Sequence, residues 1–283
     1  TLFVGERIAV MNTVDTEASL DQFKSAIREK EKKAKRKSIS IRWGRYATVA
    51  AAFLTGLVFA GGIAWGLLSN KLSDYEVITA AGQRAQTVLP DGSKVWLNAS
   101  SKIVYHNSLW SSDRQIDLSG EAYFEVSKTG QPFIVNANGI QVEVLGTTFN
   151  ISAYPDEEYQ TTLVNGSVKV SAEKGESLIL KPSQQATIAL GSNSIQVRTV
   201  DTSFYTSWVK GKINFKDQRL EDIMKTLSRW YDMNVVYENE KLKNIRFGCN
   251  LNRYEEITPF VKLLEKTEEV HVKIEGNTIT FHN

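Results

Sequence analysis

Four groups of residues in this chain have types and spacings that can support chemistry. In Val144-Leu145-Gly146-Thr147-Thr148-Phe149 a threonine follows a glycine. A hydroxyl in that position can attack the preceding carbonyl where the backbone is strained, converting the amide to a labile ester. Glycine permits the unusual dihedral angles such strain needs, but Gly-Thr pairs are common and mostly inert. Glu121 and Glu125 lie four apart on a run with strand character and so share one face. Paired acids can perform glycoside chemistry, yet alternating polar residues on a solvent face explain these two better. Trp96, Trp110, Tyr123 and Phe124 can line a sugar cleft, although core or interface packing is the commoner use. His106, His271 and His282 show no metal-ligand spacing among themselves or with Cys249, so neither a metal nor a cofactor is expected. Cys249 is the only cysteine, which excludes an internal disulfide and reads as a small core residue. No glycine-rich phosphate loop follows a strand, and no GxSxG elbow occurs. The chain reads as a non-enzyme, with single-turnover self-cleavage at Gly146-Thr147 as its one candidate reaction.

The elements that must position these residues begin with a membrane segment. From Tyr46 to Leu68 the sequence carries no charge. As a helix it would be about 34 Å long, enough for a hydrocarbon core of about 30 Å. Tyr46 and Trp65 sit near its ends, where amphipathic rings favour the interface. Lys24, Arg28, Lys30, Lys32, Lys33, Lys35, Arg36, Lys37, Arg42 and Arg45 precede it, whereas Lys71, Asp74 and Glu76 follow. That asymmetry places the N-terminal side in the cytoplasm and makes the segment an anchor rather than a cleaved signal. Residue 1 is Thr rather than Met, so residues 1–45 read as a cytoplasmic segment incomplete at its start. Within it, residues 15–37 have helical character, and Leu20, Phe23 and Ile27 form a narrow apolar stripe. The stripe either docks in a groove on a cytosolic partner or belongs to a juxtamembrane linker. A net charge of +2 gives no whole-protein field for nucleic acid.

Beyond the anchor, residues 75–200 read as strand after strand. Gln86–Leu89 and Lys94–Leu97 flank the turn composition Pro90-Asp91-Gly92-Ser93, and Thr161–Val164 and Ser167–Val170 flank the hairpin signal Asn165-Gly166. This is an all-β domain, whether sandwich, roll or solenoid. From 204 to 283 the pattern changes. Leu220, Ile223, Met224, Leu227 and Trp230 mark one helical face; Ile257, Phe260, Val261 and Leu264 mark another, among short strands. The order describes a small, separate α+β domain of βα repeats.

Taken together, these stretches resemble the FecR-type anti-sigma factors, in the form common in Bacteroidota. The matching motifs run from Leu89-Pro90-Asp91-Gly92-Ser93 through Val95-Trp96-Leu97-Asn98 and Leu118-Ser119-Gly120-Glu121-Ala122-Tyr123-Phe124-Glu125-Val126. Pro132-Phe133-Ile134-Val135 and Val144-Leu145-Gly146-Thr147-Thr148-Phe149-Asn150 follow, and then Trp208, Gly211, Phe215 and Arg229-Trp230-Tyr231. The resemblance covers residues 75–283. It implies an inner-membrane regulator that holds an extracytoplasmic-function sigma factor through its cytoplasmic segment. It also implies a periplasmic part that reads the signalling domain of a TonB-dependent outer-membrane transporter, with a C-terminal domain similar to the secretin/TonB N-terminal fold. Some family members cleave themselves at the Gly-Thr bond that matches Gly146-Thr147. With one helix joining the two sides, proteolysis by envelope proteases is the expected route for the signal. The alternative is a membrane-anchored carbohydrate-binding or carbohydrate-active envelope protein.

Overall fold

The computed structural model describes residues 16–69, 74–106, 114–173, 175–267 and 269–282. The chain divides into two units, one ending at Asn70 and the other beginning at Lys71. The first is built on a single helix, α1 (Thr16–Ser69), of 54 residues, about 81 Å long at the standard rise. Its stretch Tyr46–Gly66 has a mean hydropathy of 1.9, and none of it is buried within the protein. An apolar surface all round a helix needs an apolar surround, and this stretch is long enough to find it in a bilayer. The Thr55 hydroxyl is satisfied inside the helix, donating to the carbonyls of Ala51 and Ala52, so it would add little cost in lipid.

The second unit opens with β1 (Tyr75–Thr79), β2 (Ala85–Val88), β3 (Lys94–Leu97), β4 (Ser101–His106) and the long β5 (Arg114–Glu125). β6 (Phe133–Ala137), β7 (Ile140–Val144), β8 (Thr148–Ala153) and β9 (Tyr159–Asn165) follow. β10 (Val168–Ala172), β11 (Ser177–Leu180), β12 (Gln184–Ile188) and β13 (Gln196–Thr199) complete a 13-stranded assembly. It has two arms that share β5. One runs β1-β4-β5-β6-β7-β10-β11 and the other β2-β3-β5-β8-β9-β12-β13. Successive hairpins therefore alternate between arms, and each new one extends the same enclosed core. That core takes Phe124, Phe149 and Leu163 from one arm and Ile103, Phe133 and Val142 from the other.

Gly120 is where β5 passes between arms. Ser119 still pairs with β4, whereas Gly120 already pairs with β8. Its φ is +94°, and a Cβ there would lie 2.7 Å from the Ser101 Cα, so no other residue fits without displacement. The Pro90-Asp91-Gly92-Ser93 turn closes the β2–β3 hairpin as expected. Asp91 also does more: its carboxylate accepts from the Ser93 hydroxyl at 2.7 Å and pairs with the buried guanidinium of Arg114 at 2.7 Å. Asn165-Gly166 does not close a hairpin. β9 pairs with β8 and β12, while β10 pairs with β7 and β11. The turn, with Gly166 at φ +98°, instead carries the chain from one arm to the other.

The C-terminal part contains β14 (Lys212–Arg219), α2 (Leu220–Tyr231), β15 (Asn234–Tyr237), β16 (Arg246–Asn252), α3 (Thr258–Glu265), β17 (His271–Glu275) and β18 (Thr278–His282). β14 pairs with β16, and β18 lies between β15 and β17. All five apolar positions read from the sequence on α2 are buried. On α3 Phe260, Val261 and Leu264 are buried, with Pro259 in the first turn, where its missing N–H costs nothing. The small, separate α+β domain expected from the sequence is not a separate unit: residues 71–283 form one compact unit, and the C-terminal core includes Ala99, with Trp96 and Tyr123 of the β strands packed against it.

Candidate functional site

The outward face of β5 meets the C-terminal domain at one carboxylate. Glu121 accepts from the Asn98 amide at 2.7 Å and from the Asn150 amide at 2.9 Å, one on each oxygen. Each amide carbonyl in turn accepts an indole N–H, Trp230 on Asn98 and Trp208 on Asn150, both at 3.1 Å. Strand pairing brings them near by two routes. Leu97 lies opposite Ala122, so Asn98, the next residue, comes opposite Glu121, whereas Asn150 lies opposite Tyr123 on the same face of β5 and reaches Glu121 diagonally. Burial pushes the Glu121 carboxyl above its ordinary range, against the opposing pull of the two amides and of Arg229.

A second set of contacts surrounds this network. Arg229 forms an ion pair with Glu157, and its guanidinium stacks 3.7 Å over the Tyr154 ring. The Tyr154 hydroxyl donates to the Ala99 carbonyl at 2.9 Å. Arg84 donates to the Trp208 carbonyl at 2.6 Å and to the Tyr254 hydroxyl at 2.7 Å. The Gly82 amide donates to the Arg229 carbonyl at 2.8 Å. Beside Glu121 opens a cleft of about 630 Å³, walled by residues of both domains including Asp156, Arg198, Asp222, Lys225 and Arg246.

This corrects the reading of Glu121 and Glu125 as neighbours on a solvent face. Glu125 is exposed, but Glu121 lies under the C-terminal domain with both oxygens occupied. Trp96 and Tyr123 meet edge to face at 5.6 Å against the C-terminal core, and Phe124 is wholly buried. Trp110 lies outside the described residues. Cys249 is half-buried, and burial pushes its thiol up to about 11, which keeps it protonated and unreactive near neutral pH. Among the described residues no three His, Cys, Asp or Glu side chains converge as a metal set would.

Thr147 is buried, and its hydroxyl donates to the Ser167 carbonyl at 2.9 Å. Gly146 is not in the left-handed region. What demands glycine there is Lys128, whose Cγ would lie 2.2 Å from an added Cβ. The conformational freedom expected of Gly146 is therefore replaced by a close approach of two chain segments. On α1, Leu20, Phe23 and Ile27 are 52, 66 and 41% exposed.

The junction was not anticipated as a site, although Asn98, Glu121, Asn150, Trp208 and Trp230 each stand in a quoted motif. The available signal was Asn150 inside a strand, where asparagine is depleted, together with tryptophans whose N–H must find an acceptor when buried.

The profile described as "FecR protein" matches residues 75–169, and the one described as "FecR, C-terminal" matches 212–281. The chain belongs to the FecR family. A crystal structure of a candidate anti-sigma factor from Parabacteroides distasonis is similar, with a TM-score of 0.68 and 25% identity, over 74% of this chain and 99% of that one. A second structure of the same description and organism has a TM-score of 0.68 and 24% identity, over 75% of this chain and 99% of that chain, and shows the shared fold. No curated protein sequence matches the chain.

Proposed function

We propose that this chain is an anti-sigma factor of the inner membrane, a signalling regulator with one partner on each side. The observation that carries this is the pair of FecR matches in order behind a single apolar helix. The Parabacteroides relative, described as a candidate anti-sigma factor, supports it. The basic residues ahead of the span favour a cytoplasmic N-terminal side, with residues 75–283 in the periplasm. In this reading the exposed Leu20, Phe23 and Ile27 stripe meets an extracytoplasmic-function sigma factor, as an amphipathic helix fills a groove. The periplasmic part, its C-terminal domain taken as two βα halves of the secretin/TonB N-terminal kind, meets the signalling domain of a TonB-dependent transporter. Proteases cutting within Tyr46–Gly66 would then free the cytoplasmic handle.

The test is co-purification of the natural full-length protein from cells of its own kind. A sigma factor should accompany the wild type and be lost from Phe23→Asp. A chain that retains no sigma factor under either condition overturns the cytoplasmic half of the reading. Self-cleavage at Gly146-Thr147 belongs to the same proposal. Intact-mass analysis should show two fragments that Thr147→Ala abolishes, and a single full-length species would leave Thr147 as a structural contact to Ser167 alone.

A further inference from the structure

Each of the Asn98 and Asn150 amides has two orientations, and an ionised Glu121 admits only one of them. A carboxylate accepts and cannot donate, so both NH₂ groups turn toward it and both carbonyls turn away. An indole N–H donates and cannot accept, so the carbonyls turned away are what Trp230 and Trp208 require. Each tryptophan is thereby linked to the same charge through one amide. We infer that the negative charge of Glu121 is a latch: it fixes the polarity of both amides and so holds the C-terminal domain against the β domain. Neutralising or displacing that charge turns the Asn150 amide first, because the Ala99 N–H also holds the Asn98 carbonyl at 2.9 Å; the turn sets N–H against N–H at Trp208 and weakens the junction from that side. Burial already biases this carboxyl toward its neutral form, and the adjoining cleft gives a partner's cationic group a route to it. The Arg229–Glu157 pair and the stacking of Arg229 on Tyr154 do not depend on amide polarity, so they keep the domains tethered while the latch opens. The device holds whatever partner the unit meets, and it stands or falls separately from sigma binding.

A glutamine in place of Glu121 can accept one amide but must donate to the other, which forces that other amide to turn. The test is a double-mutant cycle on the full chain in detergent micelles, with ¹⁵N-labelled tryptophan. The chain has six tryptophans, and the hydrogen exchange of the Trp208 and Trp230 indoles is read. Glu121→Gln should speed exchange at one or both by about tenfold or more, and leave the β9–β12 ladder protected. Trp230→Phe alone should leave Trp208 protected, because the Arg229 contacts remain. The Ala99 N–H also donates to the Asn98 carbonyl at 2.9 Å, so Asn98 keeps its orientation without Trp230, and adding Glu121→Gln to Trp230→Phe should still speed Trp208 exchange by about tenfold or more. Unchanged exchange in Glu121→Gln overturns the latch. So do unchanged Trp208 exchange on adding Glu121→Gln to Trp230→Phe, full exposure of Trp208 in Trp230→Phe alone, and loss of the β9–β12 ladder.

Discussion

The two faces of the second half of β5 are held by different physics. Inward, Phe124 stacks on Phe149 at 5.0 Å and meets Phe133 edge to face at 6.1 Å, all three fully buried. Outward, Glu121 meets the C-terminal part through a polar network set into the edge of a shared apolar core, against which Trp96 and Tyr123 pack. Apolar burial is non-directional and scales with area, so the inner face fails only when the whole domain fails. Hydrogen bonds are directional and each contributes a modest net amount, so the outer face can part while the strands stay paired. On the latch proposal, one strand is both the keel of the β domain and a joint to the C-terminal part.

The largest effect that sharpens this contrast is expected from Phe124→Ala. Removing a fully buried ring should destabilise the β domain by about 3–5 kcal/mol, seen as a global shift of the denaturation midpoint together with early loss of the β5–β8 ladder. Asp91→Ala should come next. It strands the buried Arg114 guanidinium, whose side chain is 5% exposed, and breaking such a pair costs about 3 kcal/mol or more. Its mark should be global unfolding at lower denaturant, with the tryptophan junction unaffected until then. If either variant released the C-terminal domain first, the separation of the two faces would be wrong.

The smallest effect concerns a second polar contact on the β domain's surface. His106 bonds Asp117 at 2.8 Å and Asp74 at 3.1 Å, tying the approach to β1 to β4 and β5. The hydrogen bond that its ring donates to Asp117 raises its pKa above the usual histidine value, with Asp74 adding to it. A raised folded pKa means this contribution is fully present below about pH 6.5 and is lost as pH rises through the raised value. Wild type should therefore lose a little thermal stability between pH 6 and pH 8.5 that His106→Gln does not lose. The group is largely exposed, so the shift should be small, and an equal pH response in the two proteins would remove His106 from the account.

Local pattern sufficed wherever one element carried its own signal. The helical face from Leu220 to Trp230 was legible because 3.6-residue spacing is a property of the segment alone. The charge-free run beginning at Tyr46 was legible for the same reason. Asn165-Gly166 was misread because turn chemistry reports only that the chain turns, and not which sheet the next strand joins. Glu121 was misread because period 2 says which face a residue takes but not what covers that face. Its cover arrives far along the chain, with Trp230 separated from Asn98 by 132 residues. Gly120 and Gly146 show the same limit, since each is demanded by a segment that approaches from elsewhere, Ser101 in one case and Lys128 in the other.

The most direct test of the joint is native-state hydrogen exchange on the wild-type full chain at graded, sub-denaturing concentrations of urea. The Trp208 and Trp230 indole protons should exchange with one common free energy, lower than that of the β5–β8 amides, and should lose protection in the same step. Exchange of both indoles and the β5–β8 ladder at a single global free energy would contradict the account. So would two indoles that open independently of each other.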